Sequence, residues 1–128
     1  MSGTLQPDAY AALLGIDVTR LGPGLAQSAL TIGPDHLNPH ATAHGALIYS
    51  LAGVALAAAA NDEEHSGVVS SVLIDYLHPA VAGDALVARA EPAERLARED
   101  LFTVRVVRVR DGQVIARLTG RATRRRRG

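Results

Sequence analysis

The chain has 128 residues, the length of one globular domain, and contains no cysteine. Its thirteen basic and thirteen acidic residues cancel, so the net charge excludes a strong overall field that would attract nucleic acid or a membrane. The absence of cysteine excludes disulfides, thiolate metal sites and a cysteine nucleophile, and it fits the reducing cytoplasm. We therefore expect a single cytoplasmic domain over residues 1–128 that binds a small molecule.

The N-terminal third predicts a short helix followed by a strand. Residues 1–5 lack the positive charge and apolar run of a signal peptide, in agreement with a cytoplasmic location. Residues 7–14 predict a helix, because Pro7 suits a first turn and Gly15 suits the position after the last. Residues 24–32 predict a strand with one face made of Ala26, Ser28, Leu30 and Ile32.

A polar loop over residues 35–43 leads into a long apolar helix over residues 46–60. We expect Thr42 to cap this helix and Asn61 to end it in a left-handed conformation. The charge-free stretch is shorter than the roughly 20 residues that span a bilayer. Because the helix has almost no polar residue to turn towards water, it must be enclosed by the rest of the protein.

Four strands follow with only turns between them, over residues 68–77, 85–91, 101–110 and 113–123. Asp111 and Gly112 predict a hairpin between the last two. In the last strand, alternation predicts a buried face of Val114, Ala116, Leu118, Gly120 and Ala122 and a wet face that includes Ile115. Strands joined by turns indicate an antiparallel sheet, which must curl around the apolar helix. One such layer leaves a side of the helix and a sheet edge open, so we expect a homodimer or a homotetramer.

Residues 35–53, DHLNPHATAHGALIYSLAG, resemble the motif of PaaI-type acyl-CoA thioesterases, which is an Asn, a short loop, His-Gly and a helix with Leu-Ala-Asp. Residues 75–79, DYLHP, are similar to the aromatic and proline ending of that family's next strand. The order of elements agrees over residues 7–123. The resemblance implies an α+β hot-dog fold, in which a curved antiparallel sheet of about five strands wraps around one long helix, with a short N-terminal helix.

The resemblance also implies site residues. The backbone N–H of Gly45 polarises the thioester carbonyl, and Asn38 and His44 position the water or the acyl group. Gly53 stands where the family has the acid that attacks the thioester or activates water. From the residues alone, an equally good interpretation is that Gly45 permits tight packing and His44 caps the helix. Ser71 would contact the substrate from the partner chain, although serines in strands more often bond within them.

The implied function is hydrolysis of an aromatic or a short to medium acyl-CoA at a subunit interface, without a cofactor. Gly53 favours an alternative, a hot-dog protein that binds acyl-CoA without turning it over. A dehydratase also needs a helix acid beside a His, so Gly53 counts equally against that activity. Asp75 is a further candidate for the missing acid, against its interpretation as a carboxylate at the sheet margin.

Two clusters suggest other partners. His36, His40 and His44 recur every fourth residue, but Pro39 disfavours a helix there, so we expect no metal site. Residues 124–127 are four arginines, which we interpret as a solvated, frayed terminus rather than a nucleic-acid tail or a clamp for the phosphates of coenzyme A. Few aromatic residues are available to stack on bases. The remaining candidates for contact with the phosphates of coenzyme A are Arg95, Arg98 and Arg105.

Overall fold

The computed structural model describes residues 7–127. Its elements, in chain order, are α1 (Ala9–Leu14), β1 (Asp17–Gly22), β2 (Leu25–Thr31), a 3₁₀ turn (Pro34–His36), α2 (Gly45–Ala60), β3 (His65–Tyr76), β4 (Ala85–Arg95), β5 (Glu99–Arg108) and β6 (Val114–Arg126). The predicted order of helices and strands is confirmed.

The strands form one antiparallel sheet in the order β1-β2-β4-β5-β6-β3, and α2 packs against all six of them. The hot-dog architecture predicted from the sequence is confirmed, with six strands instead of about five. The additional strand is β1, which has no buried residue and therefore only a weak apolar pattern. The edges of the sheet are β1 and β3.

The short helix α1 begins two residues later than predicted. The carboxylate of Asp8 accepts a hydrogen bond of 2.9 Å from Ala11 N–H and caps the helix, so Pro7 lies before its first turn. Gly15 ends the helix at φ 78°, a left-handed conformation that glycine adopts without strain.

The core lies between α2 and the sheet. Leu51, Ala55 and Leu56 are fully buried, and they belong to one cluster with Ala26 and Leu30 of β2. The helix approaches the sheet closely, because a Cβ atom on Gly120 would lie 2.5 Å from Cδ2 of Leu56. Within residues 7–127, no helix is both long and apolar enough to cross a membrane.

Both ends of α2 differ from the predictions. His44 rather than Thr42 is the N-cap, since Thr42 lies two residues too early and bonds to Asn38 instead. Asn61 is extended, at φ −115°, and not left-handed. The Asn61 amide donates to the carbonyls of Ala57 and Gly67, and the guanidinium of Arg20 donates to Ala58 and Asn61 carbonyls. Side chains therefore satisfy two of the carbonyls in the last turn, in place of the backbone bonds of a left-handed cap.

Strand β6 corrects two further predictions. Ile115 is fully buried rather than wet, because the register with β5 shifts between Val106 and Val107 and the pattern of alternation shifts with it. The arginine run is not a free terminus. β6 continues to Arg126 paired with β3, and Arg124 forms an ion pair with Asp100.

Candidate functional site

The loop before α2 is organised by the side chain of Asn38. Its amide oxygen accepts hydrogen bonds from His40 N–H at 2.9 Å and Thr42 N–H at 3.2 Å, and its amide nitrogen donates to the Thr42 hydroxyl at 2.8 Å. These bonds close a tight turn in which Ala41 has φ 64°. The second amide hydrogen has no acceptor in the part of the chain that the structure describes, so it is available to a ligand.

His44 caps α2 with its ring. Nδ1 accepts a hydrogen bond of 3.0 Å from Ala46 N–H, so this nitrogen carries no proton and Nε2 carries the proton of the neutral imidazole. In this arrangement the exposed ring offers a hydrogen-bond donor and not a base. His44 is therefore the cap of the helix, and this bond sets the tautomer that faces solvent.

The backbone N–H of Gly45, the first residue of α2, donates to no acceptor among residues 7–127. The next N–H groups are satisfied by His44, through its ring for Ala46 and its carbonyl for Leu47. No acid lies in the first turn of this 16-residue helix. Its positive end is therefore not neutralised, and one donor is free for a carbonyl oxygen or an oxyanion.

Tyr76, at the end of β3, lies over Gly45. Its hydroxyl donates a hydrogen bond of 2.9 Å to the carbonyl of Gly45, and the ring is in van der Waals contact with the position of a Gly45 Cβ atom. Burial, followed by the charge that Tyr49 would carry if ionised, raises the pKa of the Tyr76 phenol. Tyr76 therefore stays a protonated donor at neutral pH, and the two phenols lie near each other.

One side of α2 is left open by the sheet. It forms a stripe along the helix that we call the open stripe, made of Gly45, Ala46, Tyr49, Gly53 and Ala57. Gly53 lies at its middle, and a Cβ atom there would have one neighbour within 4 Å, Cε1 of Tyr49 at 3.9 Å. The position thus has space for a larger side chain, and the glycine is not required by packing.

Ser71 lies apart from these groups within one chain. A β-bulge between Val69 and Ser71 shifts the register of β3 against β6, so Val72 and Ile74 pack on the core while Ser71 and Asp75 are exposed. Ser71 is therefore on the outer face of the edge strand. Asp75 likewise points away from α2, and the open stripe receives no carboxylate from it.

The three loop histidines have separate environments. His36 accepts from Gly33 N–H at Nδ1 and bonds to the Leu14 carbonyl at 3.1 Å through Nε2, and His40 is exposed. Across residues 7–127, no group of three or more His, Cys, Asp or Glu side chains is arranged to hold a metal ion.

The remaining surface features lie away from Gly45. A cavity of about 620 Å³ is at the C-terminal end of α2, lined by Val54, Ala57 and Arg20 among others. Among the candidate arginines, Arg95 forms a salt bridge of 3.7 Å with Asp100, and Arg105 stands between Arg89 and Arg117 on neighbouring strands. None of these features brings a further acid or base to the start of the helix.

Sequence reasoning missed the two tyrosines. Tyr49 is a helical residue in an apolar run, and Tyr76 enters the motif comparison solely as part of a similar strand ending. The signal that would have found Tyr49 is its spacing, four residues after Gly45 and four before Gly53, which places the three on one helical face. No such signal exists for Tyr76, because its direction depends on the bulge in β3.

Comparison with known proteins identifies relatives over most of the chain. A family model described as the thioesterase superfamily matches residues 40–115. The acyl-coenzyme A thioesterase PaaI of Escherichia coli K12 is 35% identical over 100 residues, which are 78% of this chain and 71% of the relative. A putative esterase of Deinococcus radiodurans is 37% identical over 117 residues, 91% of this chain and 79% of the relative.

Solved structures agree with these relatives. The PaaI protein from the phenylacetic acid degradation operon of E. coli has a TM-score of 0.87 at 32% identity, covering 94% of this chain and 86% of its own. A variant of the phenylacetic acid degradation protein PaaI from Thermus thermophilus has a TM-score of 0.85 at 36% identity, covering 91% of this chain and 98% of its own.

Proposed function

The chain belongs to the thioesterase superfamily, as a hot-dog protein of the PaaI type, and on this premise we propose that it hydrolyses acyl-CoA thioesters to a free acid and coenzyme A. The E. coli relative is an acyl-coenzyme A thioesterase, which supports acyl-CoA as the substrate class. The phenylacetic acid degradation operon of the E. coli structure favours an aromatic acyl group, with short and medium chains as alternatives. The substrate and the cysteine-free sequence are compatible with a cytoplasmic location.

The unpaired N–H of Gly45 is the observation that carries the proposal. A thioester carbonyl that accepts this hydrogen bond lies at the positive end of a 16-residue helix. Attack by water turns the carbonyl oxygen into an oxyanion, which the N–H and the helix dipole stabilise more strongly than the neutral carbonyl. Collapse of the tetrahedral intermediate then breaks the C–S bond and releases coenzyme A.

Three side chains would assist this step. His44 offers its Nε2–H beside Gly45, and Asn38 retains one amide hydrogen for water or the acyl carbonyl. We assign Ser71 to contact with the substrate bound by the neighbouring subunit, because it is exposed on edge strand β3. Gly53 would line the substrate site, since the open space beside it leaves room for the acyl carbonyl and for the water that attacks it.

The open stripe and the β3 edge support a homodimer, or a homotetramer built from two dimers. Val68 and Leu73 on β3 are 68% and 66% exposed, which is unfavourable for apolar residues on an unpaired edge. Pairing of β3 with β3 of a second chain would cover these two strand edges and bring the second chain towards the open stripe. We therefore propose that the site is completed at a subunit interface.

A second candidate function is binding of acyl-CoA without hydrolysis. Gly53 favours it, because the open stripe carries no carboxylate to take a proton from water. This candidate predicts saturable binding of acyl-CoA and no release of thiol above the uncatalysed rate.

Replacement of the Gly45 N–H tests the proposal directly. Gly45→Pro removes this N–H, and proline is tolerated at the first helical position, where His44 already has the extended conformation that proline requires before it. Gly45→Ala is the matched control, because it adds a Cβ atom against Tyr76 at an ordinary 3.4 Å but keeps the N–H. We expect thiol release from phenylacetyl-CoA to fall roughly 100-fold to 1,000-fold in Gly45→Pro relative to Gly45→Ala. Equal activity of the two folded variants would contradict the proposed role of Gly45.

A further inference from the structure

Tyr49 is the one polar side chain of the open stripe, whose other members are glycine or alanine. It is 43% exposed and lies one helical turn after Gly45 and one turn before Gly53. A ligand whose carbonyl oxygen bonds to Gly45 N–H and whose body follows the stripe must therefore pass the Tyr49 ring.

The hydroxyl of Tyr49 is not used by the fold. Whereas Tyr76 donates to the Gly45 carbonyl and Tyr10 bonds to the Ser50 hydroxyl at 3.0 Å, the Tyr49 hydroxyl has no hydrogen-bond partner in residues 7–127. Its ring lies beside the space that Gly53 leaves open, 3.9 Å from where a Cβ atom would stand. A hydroxyl and a space for a small molecule thus adjoin each other one turn from the free N–H.

We infer that Tyr49 is a catalytic residue, whose hydroxyl holds the attacking water in the space beside Gly53, over the carbonyl that Gly45 N–H polarises. This inference rests on the proposed thioester hydrolysis. It gives that water a hydrogen-bond partner on a stripe that carries no carboxylate.

The step balances without a further reactant. The water oxygen forms a bond to the carbonyl carbon while the carbonyl π electrons move to the oxygen at Gly45. The attacking water donates a hydrogen bond to the Tyr49 oxygen. The proton that this water loses passes to bulk solvent, which the part-exposed phenol contacts. The C–S bond then breaks with its electron pair on sulfur, and the thiolate of coenzyme A takes a proton from solvent.

The test compares Tyr49→Phe with wild type, with Gly53→Asp and with the double variant, using phenylacetyl-CoA as the probe. Phenylalanine keeps the ring and its packing, and it removes the hydroxyl alone. One hydrogen bond made more strongly in the transition state corresponds to a decrease in kcat of roughly 3-fold to 10-fold. We expect this decrease with KM changed by less than about twofold. Tyr10→Phe is the matched control, because the Tyr10 hydroxyl is already bonded to Ser50 and lies on α1, outside the stripe residues, and its kcat should equal that of wild type.

In the Gly53→Asp variant the carboxylate binds the water in place of the Tyr49 hydroxyl. The further change Tyr49→Phe should therefore lower kcat by less than about twofold. An active wild type with unchanged kcat in Tyr49→Phe would overturn the role of Tyr49 and leave hydrolysis standing. A rise in KM alone would also overturn it, since that result indicates uniform substrate binding. A wild type without thiol release would overturn both the inference and the proposed function.

Discussion

The hydroxyl of Tyr76 donates a hydrogen bond of 2.9 Å to the backbone carbonyl of Gly45, across 31 residues of sequence. Through this bond the end of edge strand β3 is joined to the first residue of α2. Gly45, whose N–H is free for a ligand, is thus held in place by a residue of another element. The geometry at the start of α2 therefore depends on β3, the strand that also forms the proposed subunit interface.

Removal of this bond should affect both stability and turnover. We expect Tyr76→Phe to lower the free energy of unfolding by about 1 kcal/mol, the usual net value of one hydrogen bond. It should lower kcat as well, because the first turn of α2 is less firmly held. Urea denaturation and thiol release measured on the same sample check this. A variant with unchanged stability would show that the bond does not hold the helix end.

Gly53→Asp should increase thiol release at neutral pH, because it places a carboxylate on the open stripe where a side chain meets no atom closer than 3.9 Å. The unfolding free energy should change by less than about 1 kcal/mol, since Asp is a slightly better helix former than Gly. The pH dependence of kcat should gain an inflection near the ordinary Asp pKa of about 4. Gly53→Asn is the uncharged control, and equal activity of the two variants would show that the carboxylate has no part.

Asn38 should prove necessary for the loop before α2. Asn38→Ala removes three hydrogen bonds, to His40, Thr42 and the Thr42 hydroxyl, and should lower the thermal midpoint and kcat together. Asn38→Asp keeps the acceptor oxygen for both backbone N–H groups, so it should retain most of the stability while losing the amide hydrogen that we assign to the ligand. A stable Asn38→Asp variant with full activity would remove Asn38 from the site.

Light scattering should show no monomer in the wild-type protein at micromolar concentration. Val68→Lys combined with Leu73→Lys should shift the population towards monomer, because lysine on an edge strand opposes pairing of two edges. Thiol release should decrease with the fraction of dimer. Val109→Lys is the control, as Val109 is 58% exposed but follows β5, which β6 separates from the β3 edge. A monomeric wild type would overturn the proposed interface.

The stability of the hairpin between β5 and β6 should depend on acid pH. The Arg108 side chain, followed by Gln113 N–H, lowers the pKa of the Asp111 carboxyl to about 2. Because the pKa in the folded protein lies below the unfolded value, this stabilisation is present above pH about 4 and is lost as pH falls towards 2. Urea denaturation should therefore show that the free energy of unfolding decreases less between pH 6 and pH 3 for Asp111→Asn than for wild type.

The sequence predicted the elements whose patterns are local. The long apolar run of α2 required a buried position for the helix. The alternation in β2 separated the residues of its two faces, and the structure shows that Ala26, Ser28 and Leu30 form the buried one. The motif residues Asn38, His44 and Gly45 were found by resemblance, and the structure adds what each does in the fold. Asn38 holds the turn before α2, His44 caps the helix, and Gly45 has a free N–H.

Side-chain directions at the site were decided by the tertiary structure. The bulge at Ser70 inserts one residue into β3, so every later side chain changes face, and Tyr76 turns towards α2 while Ser71 turns outward. A similar register shift buries Ile115. Whether a strand contains a bulge depends on how its neighbour pairs with it, and that pairing joins residues about 50 positions apart. A local sequence pattern does not predict a contact between residues so far apart. The sequence by itself thus determined a helix that must be buried and a sheet to enclose it, and the packing between them decided which groups meet at Gly45.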